Sequence, residues 1–263
     1  MRRRWRVSAT PLNDLNLMVS MSSSSRAPLQ RCFVLHRRDY SNTSLILDLF
    51  CTETGRLPVL AKGAKRGRTP LTSILQPFRP LWASWSGRGE IKTLVCAEAA
   101  GQPLELQGQA LICGLYVNEI LMRLLGRADP HPDLFAFYHA ALVNLTSGEY
   151  LETGLRQFEL RLLEEMGYGP RLDQAEDGPV AAHARYLCLP GQQPRRLLPG
   201  ELAEAPVTGL TLLALATGEP LDDVVKKREA RQLLRSLLSP HLGPKPIKSR
   251  ELFRQGGILR TTQ

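Results

Sequence analysis

Short apolar runs separated by turn signals follow one another in the first part of the chain, a pattern typical of a small antiparallel β unit. In the second run Leu45 and Leu47 share one face, although the alternation is not strict. Gly55 and the glycines of residues 87–89 lie where hairpin turns are needed. We therefore predict five strands, over Arg31–Arg38, Thr43–Cys51, Arg56–Lys62, Phe78–Ser86 and Glu90–Ala99.

The connection between the third and fourth strands carries prolines at both ends and predicts a short helix within Thr69–Gln76. Five strands in two hairpins with this connection fit an oligonucleotide-binding (OB) barrel, and an SH3-like barrel fits nearly as well. We assign residues 29–103 to the barrel domain. Residues 1–28, which contain four early arginines and a serine run, are predicted to be a disordered N-terminal extension.

After Pro103 the apolar positions recur with helical spacing. Residues 170–206 are rich in proline and glycine and predict an irregular insertion with a small hairpin. The predicted class is α+β, an N-terminal five-stranded OB-fold β-barrel followed by a mainly α-helical domain over residues 104–263. The helical runs are Leu111–Leu124, Leu134–Leu145, Leu155–Met166 and Pro220–Leu238.

The composition of the 263 residues is that of a globular protein, with 43% hydrophobic and 22% charged residues. No apolar stretch approaches the ~18 residues that a membrane span requires, so we expect a soluble protein without a membrane partner. The net charge is +9, and it is unevenly distributed: +7 over residues 31–92, +6 over residues 221–263 and −8 over residues 93–220. Basic ends favour an anionic partner.

Motifs of catalysis and metal binding are missing from the sequence. The five cysteines contain no C-x-x-C pair, which argues against a disulfide scaffold and a zinc site and favours a reducing compartment. Gly63–Thr69 has neither the spacing nor the lysine of a phosphate-binding P-loop, and no G-x-S-x-G elbow occurs. We predict no enzymatic activity, no cofactor and no metal, and leave open a hydrolase whose site is assembled from distant residues.

A basic loop after the third strand is the strongest functional signal. Its cations lie close together in the chain, and Gly63 and Gly67 allow the backbone to approach a phosphate. Trp82 and Trp85 are possible stacking platforms for bases, but their spacing puts them on opposite faces of a strand, so at least one belongs to the core. The candidate DNA-binding residues are Lys62, Lys65, Arg66 and Arg68, with Arg37, Arg38, Arg88 and Lys92.

A second basic cluster, Lys245–Arg254, surrounds Leu252 and Phe253 with cations. Cations around an apolar pocket suit a short peptide with acidic and aromatic residues. The same segment also suits a terminal helix whose Leu252 and Phe253 anchor it to the core. These two readings are compatible.

Several segments, in order along the chain from about residue 30 to residue 255, resemble the RecO family of bacterial DNA repair proteins. They include F-V-L-H-R-R-D-Y-S-N-T-S-L-I-L-D-L-F, G-R-L-P-V-L-A-K-G-A-K, L-Q-P-F-R-P-L, G-R-G-E-I-K-T-L, G-L-Y-V-N-E-I-L, R-Q-F-E-L-R-L-L-E-E-M-G-Y-G and K-S-R-E-L-F-R.

The resemblance implies a cytoplasmic, nucleoid-associated recombination mediator that binds single- and double-stranded DNA and anneals complementary strands. It implies that the protein associates with RecR and acts indirectly on RecA, by helping RecA to replace the single-strand binding protein SSB. By position, the basic loop corresponds to the DNA-binding surface. The docking region for the C-terminal tail of SSB corresponds to Arg156, Lys248, Arg250, Phe253 and Arg254. An RNA-binding module built on the same barrel remains an alternative.

Overall fold

The computed structural model of the protein describes residues 28–66, 71–149 and 151–258. The predicted N-terminal extension therefore lies outside the described residues, except for Pro28. Each of the first five strands lies within three residues of its predicted run: they are Gln30–Asp39 (β1), Leu45–Cys51 (β2), Gly55–Ala61 (β3), Leu81–Ser86 (β4) and Lys92–Ala99 (β5). The fourth strand was predicted to start at Phe78, which is wrong because the φ of Phe78 is 63° and interrupts extended backbone.

These strands form a closed barrel in the order β1-β2-β3-β5-β4. Neighbouring strands are antiparallel except for β3 and β5, where Val59 pairs with Lys92 in parallel. The interior is filled by aliphatic side chains, among them Val34, Leu47 and Leu49, none of which is exposed. The barrel is OB-fold-like and confirms the predicted α+β class, and a 3₁₀ helix at Leu71–Ser73 occupies the connection predicted to be helical.

Six α-helices follow the barrel in the part of the chain that the structure describes. One of them was not predicted: the stretch around Leu212 is apolar nearly all round, so the two-faced pattern is weak. Another was predicted from Pro220 but begins at Val224, because the Asp223 carboxylate caps it by accepting a hydrogen bond from the Lys226 N–H. The helices are Gly108–Leu124 (α1), Pro132–Ser147 (α2), Leu151–Glu165 (α3), Gly209–Thr217 (α4), Val224–Leu238 (α5) and Lys248–Ile258 (α6).

Five very short strands lie between α3 and α5. The strand Arg185–Leu187 pairs antiparallel with Arg195–Arg196, in the segment where the sequence suggested a small hairpin, and also with Val207–Thr208. The other two strands pair with each other. Their bounds are Gln174–Ala175 (β6), Gly178–Pro179 (β7), Arg185–Leu187 (β8), Arg195–Arg196 (β9) and Val207–Thr208 (β10).

The outer face of the barrel and the helices share one hydrophobic cluster, which is separate from the cluster inside the barrel. The Phe33 ring of β1 meets the Tyr138 ring of α2 edge-on, with centroids 5.2 Å apart, and Phe50 of β2 packs on Phe135 at 5.3 Å. The buried Asn118 amide of α1 donates to the Leu35 carbonyl at 2.9 Å and accepts from the Tyr138 hydroxyl at 2.7 Å. These contacts hold the barrel and the helices against each other.

Candidate nucleic-acid interface

A cationic cavity of about 490 Å³ opens at the barrel end where β1 finishes and β2 begins. Three of the predicted DNA-binding residues line it, although Lys65 is far from the two arginines in sequence. The cavity is of a size that holds small ligands or parts of larger ones. Its lining residues are Arg37, Arg38, Asp39, Leu45, Lys65, Thr72 and Gln76.

The side chain of Arg37 is held in position by neutral backbone acceptors. Its Nη1 donates to the carbonyl oxygens of Thr72 at 3.3 Å and Leu75 at 3.4 Å. Both acceptors belong to the short helical connection before β4. Because carbonyl groups orient the guanidinium without neutralising it, the positive charge remains available to an anion.

Lys65 enters the cavity from the loop after β3. Gly63 allows this turn with a φ of 67°, and the Lys65 N–H donates to the Thr43 carbonyl at 3.1 Å. The ammonium lies 2.6 Å from the Asp39 carboxylate and donates to the Ser41 carbonyl at 3.4 Å. The loop is thus attached to the strand pair that carries the arginines.

The other predicted DNA-binding residues have different surroundings. Lys62 and Arg66 are exposed on the same loop, whereas Arg68 lies outside the described residues. Arg88 is exposed in the β4–β5 turn, and Lys92 starts β5 beside Val59 of β3. Neither of these two lines the cavity.

The two tryptophans of β4 divide between surface and core, as predicted. Trp85 is buried within the barrel at 4% exposure, while Trp82 is 38% exposed. The Arg31 guanidinium lies 5.9 Å from the centre of the Trp82 ring, a cation–π distance. Of these two rings, therefore, only that of Trp82 can meet a base without unfolding of the barrel.

The residues predicted to bind a peptide tail do not all lie on one basic surface. Arg156 is buried and its Nη1 lies 2.6 Å from Glu159 Oε2. Tyr116 donates a 2.5 Å hydrogen bond to Glu159 Oε1, and Arg250 of α6 stacks over the Tyr116 ring and donates to its hydroxyl at 3.3 Å. Burial raises the pKa values of Glu159 and Tyr116, and the Arg156 charge opposes both shifts.

α6 also borders an apolar cavity of about 560 Å³ at its junction with α1 and β1. Lys248 stands at the edge of this cavity, and Phe253 is partly buried against the helical core. The Arg254 side chain lies outside the described part of the structure. Arg156 is not among the lining residues, which are Leu35, His36, Leu115, Asn118, Glu119, Met122, Arg123, Lys248, Ser249, Glu251 and Leu252.

Sequence reasoning missed the polar groups that organise both places. Asp39, Thr72 and Gln76 line the barrel-end cavity, and Glu119 binds the start of α6. Asp39 directly follows the two cavity arginines in the sequence, which was a usable signal. No comparable local signal relates Glu119 to α6, because the contact joins distant parts of the chain.

The described segments contain neither a metal-binding cluster nor a membrane-spanning helix. In residues 28–66, 71–149 and 151–258 no group of three or more His, Cys, Asp or Glu side chains could hold a metal ion. The cysteines are free thiols, and burial raises the pKa of Cys113 to about 11 and that of Cys188 to about 12. No helix of the described segments has the length and apolarity needed to cross a bilayer.

Comparison with known proteins yields a consistent match over both parts of the chain. The family model described as recombination protein O N terminal matches residues 27–102, and the one described as recombination protein O C terminal matches residues 105–251.

Among curated proteins, the DNA repair protein RecO of Methylococcus capsulatus is 49% identical over 234 residues, which cover 88% of this chain and 94% of that protein. The DNA repair protein RecO of Nitrosococcus oceani is 45% identical over 241 residues, covering 89% of this chain and 98% of the relative. A Pseudomonas aeruginosa RecO is 45% identical over 233 residues, with 87% and 96% covered.

Proposed function

Since the chain belongs to the RecO family of DNA repair proteins, we propose that it is a recombination mediator that binds single- and double-stranded DNA and anneals complementary strands. Together with RecR it helps RecA replace SSB on single-stranded DNA. In this role it holds and delivers strands without altering their covalent structure.

The convergence of Arg37, Arg38 and Lys65 on one barrel-end cavity is the observation that carries the proposal. Cations of this kind displace counterions from the phosphate backbone and bind nucleic acid of any sequence. Lys62 and Arg66, exposed on the adjoining loop, extend the positive surface beyond the cavity. Sequence-independent backbone contact is what a protein needs if it has to handle any pair of complementary strands.

Docking of the SSB tail is the second part of the proposal. The apolar cavity beside α6 offers room for a ring, and Lys248, which lines it, can supply charge to a carboxylate. Arg250 lies on the same helix, over the Tyr116 ring and outside the cavity lining, and can supply a second charge. The interior position of Arg156 gives it a positioning role: through Glu159 and Tyr116 it supports Arg250. Phe253 and Arg254 belong to the same helix.

Two variants of the full-length protein test this division of labour. Replacing Lys62, Lys65, Arg66 and Arg68 by alanine should weaken binding to a labelled single-stranded oligonucleotide by tenfold or more and flatten the salt dependence by about 0.7 per lost contact. The Lys248→Ala, Arg250→Ala variant should no longer bind an SSB tail peptide but should bind the oligonucleotide as the unmodified protein does. A control with four cations removed from the helical domain should retain both; its positions are Arg171, Lys227, Arg228 and Arg235.

Annealing of complementary strands covered with SSB measures the complete activity, with the free tail peptide as competitor. The loop variant should fail with bare and covered strands, and the α6 variant should fail only with covered strands. A competing RNA oligonucleotide of matched sequence addresses the alternative of an RNA-binding module: preferential displacement by RNA would contradict the proposed role in DNA repair.

A further inference from the structure

One carboxylate lies among the cations of the barrel-end cavity. Asp39 Oδ1 is 2.6 Å from Lys65 Nζ, and both residues line the cavity with Arg37 and Arg38. The Asp39 side chain is 77% exposed, whereas that of Lys65 is only 26% exposed. The carboxylate side of the ion pair is therefore open to solvent, so the Asp39 side chain has room to turn away from Lys65.

We propose that Asp39 is a built-in competitor for nucleic-acid phosphate, which holds Lys65 in the free protein and releases it when a phosphate binds. Binding at this cavity is then an exchange of one anion for another. The inference rests on the proposed function, because it takes a nucleic-acid backbone as the ligand of the cavity.

The contacts of the cavity cations single out Lys65 as the exchangeable one. Arg37 donates to two backbone carbonyl oxygens, which are neutral and leave its charge uncompensated. Lys65 has a carboxylate partner, and its other acceptor is the Ser41 carbonyl at 3.4 Å. Since a solvent-exposed ion pair contributes little free energy, a phosphate can displace Asp39 at small cost.

The exchange has a consequence for strand handling. A phosphate bound near Lys65 remains close to the Asp39 carboxylate, and like charges at such distances repel. The repulsion lowers the affinity for each strand and favours its release. Moderate affinity suits a protein that brings strands together and then leaves the duplex.

The Asp39→Asn variant of the full-length protein tests the inference directly. Because it frees Lys65, its dissociation constant for a labelled single-stranded oligonucleotide should fall about three- to tenfold at low salt. The salt dependence should change by less than about 0.7, the value of one phosphate contact on a single strand, because Lys65 contacts a phosphate in both proteins. Asp173→Asn makes the same change in net charge beside Arg171, at an ion pair of 3.7 Å in the helical part, and should leave both quantities unchanged.

A double-mutant cycle with Lys65→Ala separates exchange from general repulsion. In the Lys65→Ala background the Asp39 substitution should change affinity less than twofold, because the cation that it frees is gone. An equal gain in both backgrounds would show that Asp39 acts only as a distant charge and would overturn the inference. The inference would also be overturned if Asp39→Asn and Asp39→Ser unfolded thermally like the unmodified protein and bound the oligonucleotide with the same affinity. Failure of the unmodified protein to bind DNA would instead contradict the proposed function.

Discussion

Arg156 and Glu159 form an ion pair that lies almost entirely out of water, with side chains 7% and 1% exposed. Taking two charges out of water is costly, and the pair is tolerable because each charge compensates the other. Tyr116 completes the arrangement by donating to the second carboxylate oxygen. These residues therefore make a structural unit beneath α6. Because of this, the stability of any Arg156 variant has to be measured before a loss of binding is assigned to a lost contact.

Replacement of Arg156 by alanine should lower the free energy of unfolding by roughly 3–5 kcal/mol, because Glu159 would be left buried without its partner. Urea unfolding of the purified variant measures this loss. Arg171→Ala, which breaks an exposed pair at 3.7 Å, is the control and should change the free energy of unfolding by less than about 1 kcal/mol. Equal effects of the two substitutions would show that the buried pair is not structurally important.

The start of α6 is held by a residue of another helix. Glu119 Oε1 accepts from the Lys248 N–H at 2.9 Å, and Glu119 Oε2 accepts from the Ser249 N–H at 2.9 Å. Desolvation raises the pKa of Glu119, but these N–H groups and the Arg123 guanidinium outweigh it and hold the pKa below its usual value. The carboxylate takes the place of an N-cap and also meets the positive end of the helix dipole.

Because the pKa of Glu119 is lower in the folded protein, its contribution to stability is present above the ordinary glutamate pKa of about 4.3 and is lost as the pH falls through the folded-state value. We expect Glu119→Ala to increase amide exchange of α6 at neutral pH severalfold. The unmodified protein should lose the same protection only in acid.

Hydrogen-exchange mass spectrometry of the α6 peptides, compared with those of α1, measures this effect. Glu251→Gln removes an exposed carboxylate from α6 itself and should behave like the unmodified protein. Unchanged protection in Glu119→Ala would mean that Arg250 and the apolar contacts alone hold the helix.

The barrel and the helices meet where two backbones come very close. A Cβ on Gly55, which starts β3, would lie 1.9 Å from the carbonyl oxygen of Asp129 in the loop before α2. The Asn118 hydrogen bond and the Phe33–Tyr138 contact also join these two parts. These contacts hold the barrel, which carries the cationic cavity, against the helices, which include α6.

Gly55→Ala should destabilise the protein much more than Gly148→Ala, although both glycines have a φ of 71°. The alanine at residue 148 meets no atom within 4 Å and incurs only the backbone strain of about 1–2 kcal/mol. At residue 55 the same strain is added to a backbone clash. Denaturant unfolding of the two variants gives the comparison, and equal losses would show that the junction yields easily.

Local pattern in the sequence was sufficient for much of the fold. The apolar alternation of β2 and the turn glycine at residue 55 were enough to predict the barrel strands. The helical spacing after Pro103 and the apolar anchors near the C-terminus predicted segments of five of the six α-helices described. Both signals could be read because they depend only on neighbours in the chain. α4 was not predicted, because an evenly apolar segment shows no separation into an apolar and a polar face. The basic loop and the segments shared with the RecO family could also be identified from the sequence.

Contacts between distant residues were decided by the tertiary structure alone. The sequence presents Arg156 as one more cation of a helix, and packing makes it an interior residue. It likewise cannot relate Asp39 to Lys65, or Glu119 to the beginning of α6, since these pairs depend on how strands and helices are placed in space. Periodicity reports which side of an element is apolar, whereas the partner of a charge is determined by whatever the fold brings within a few ångströms.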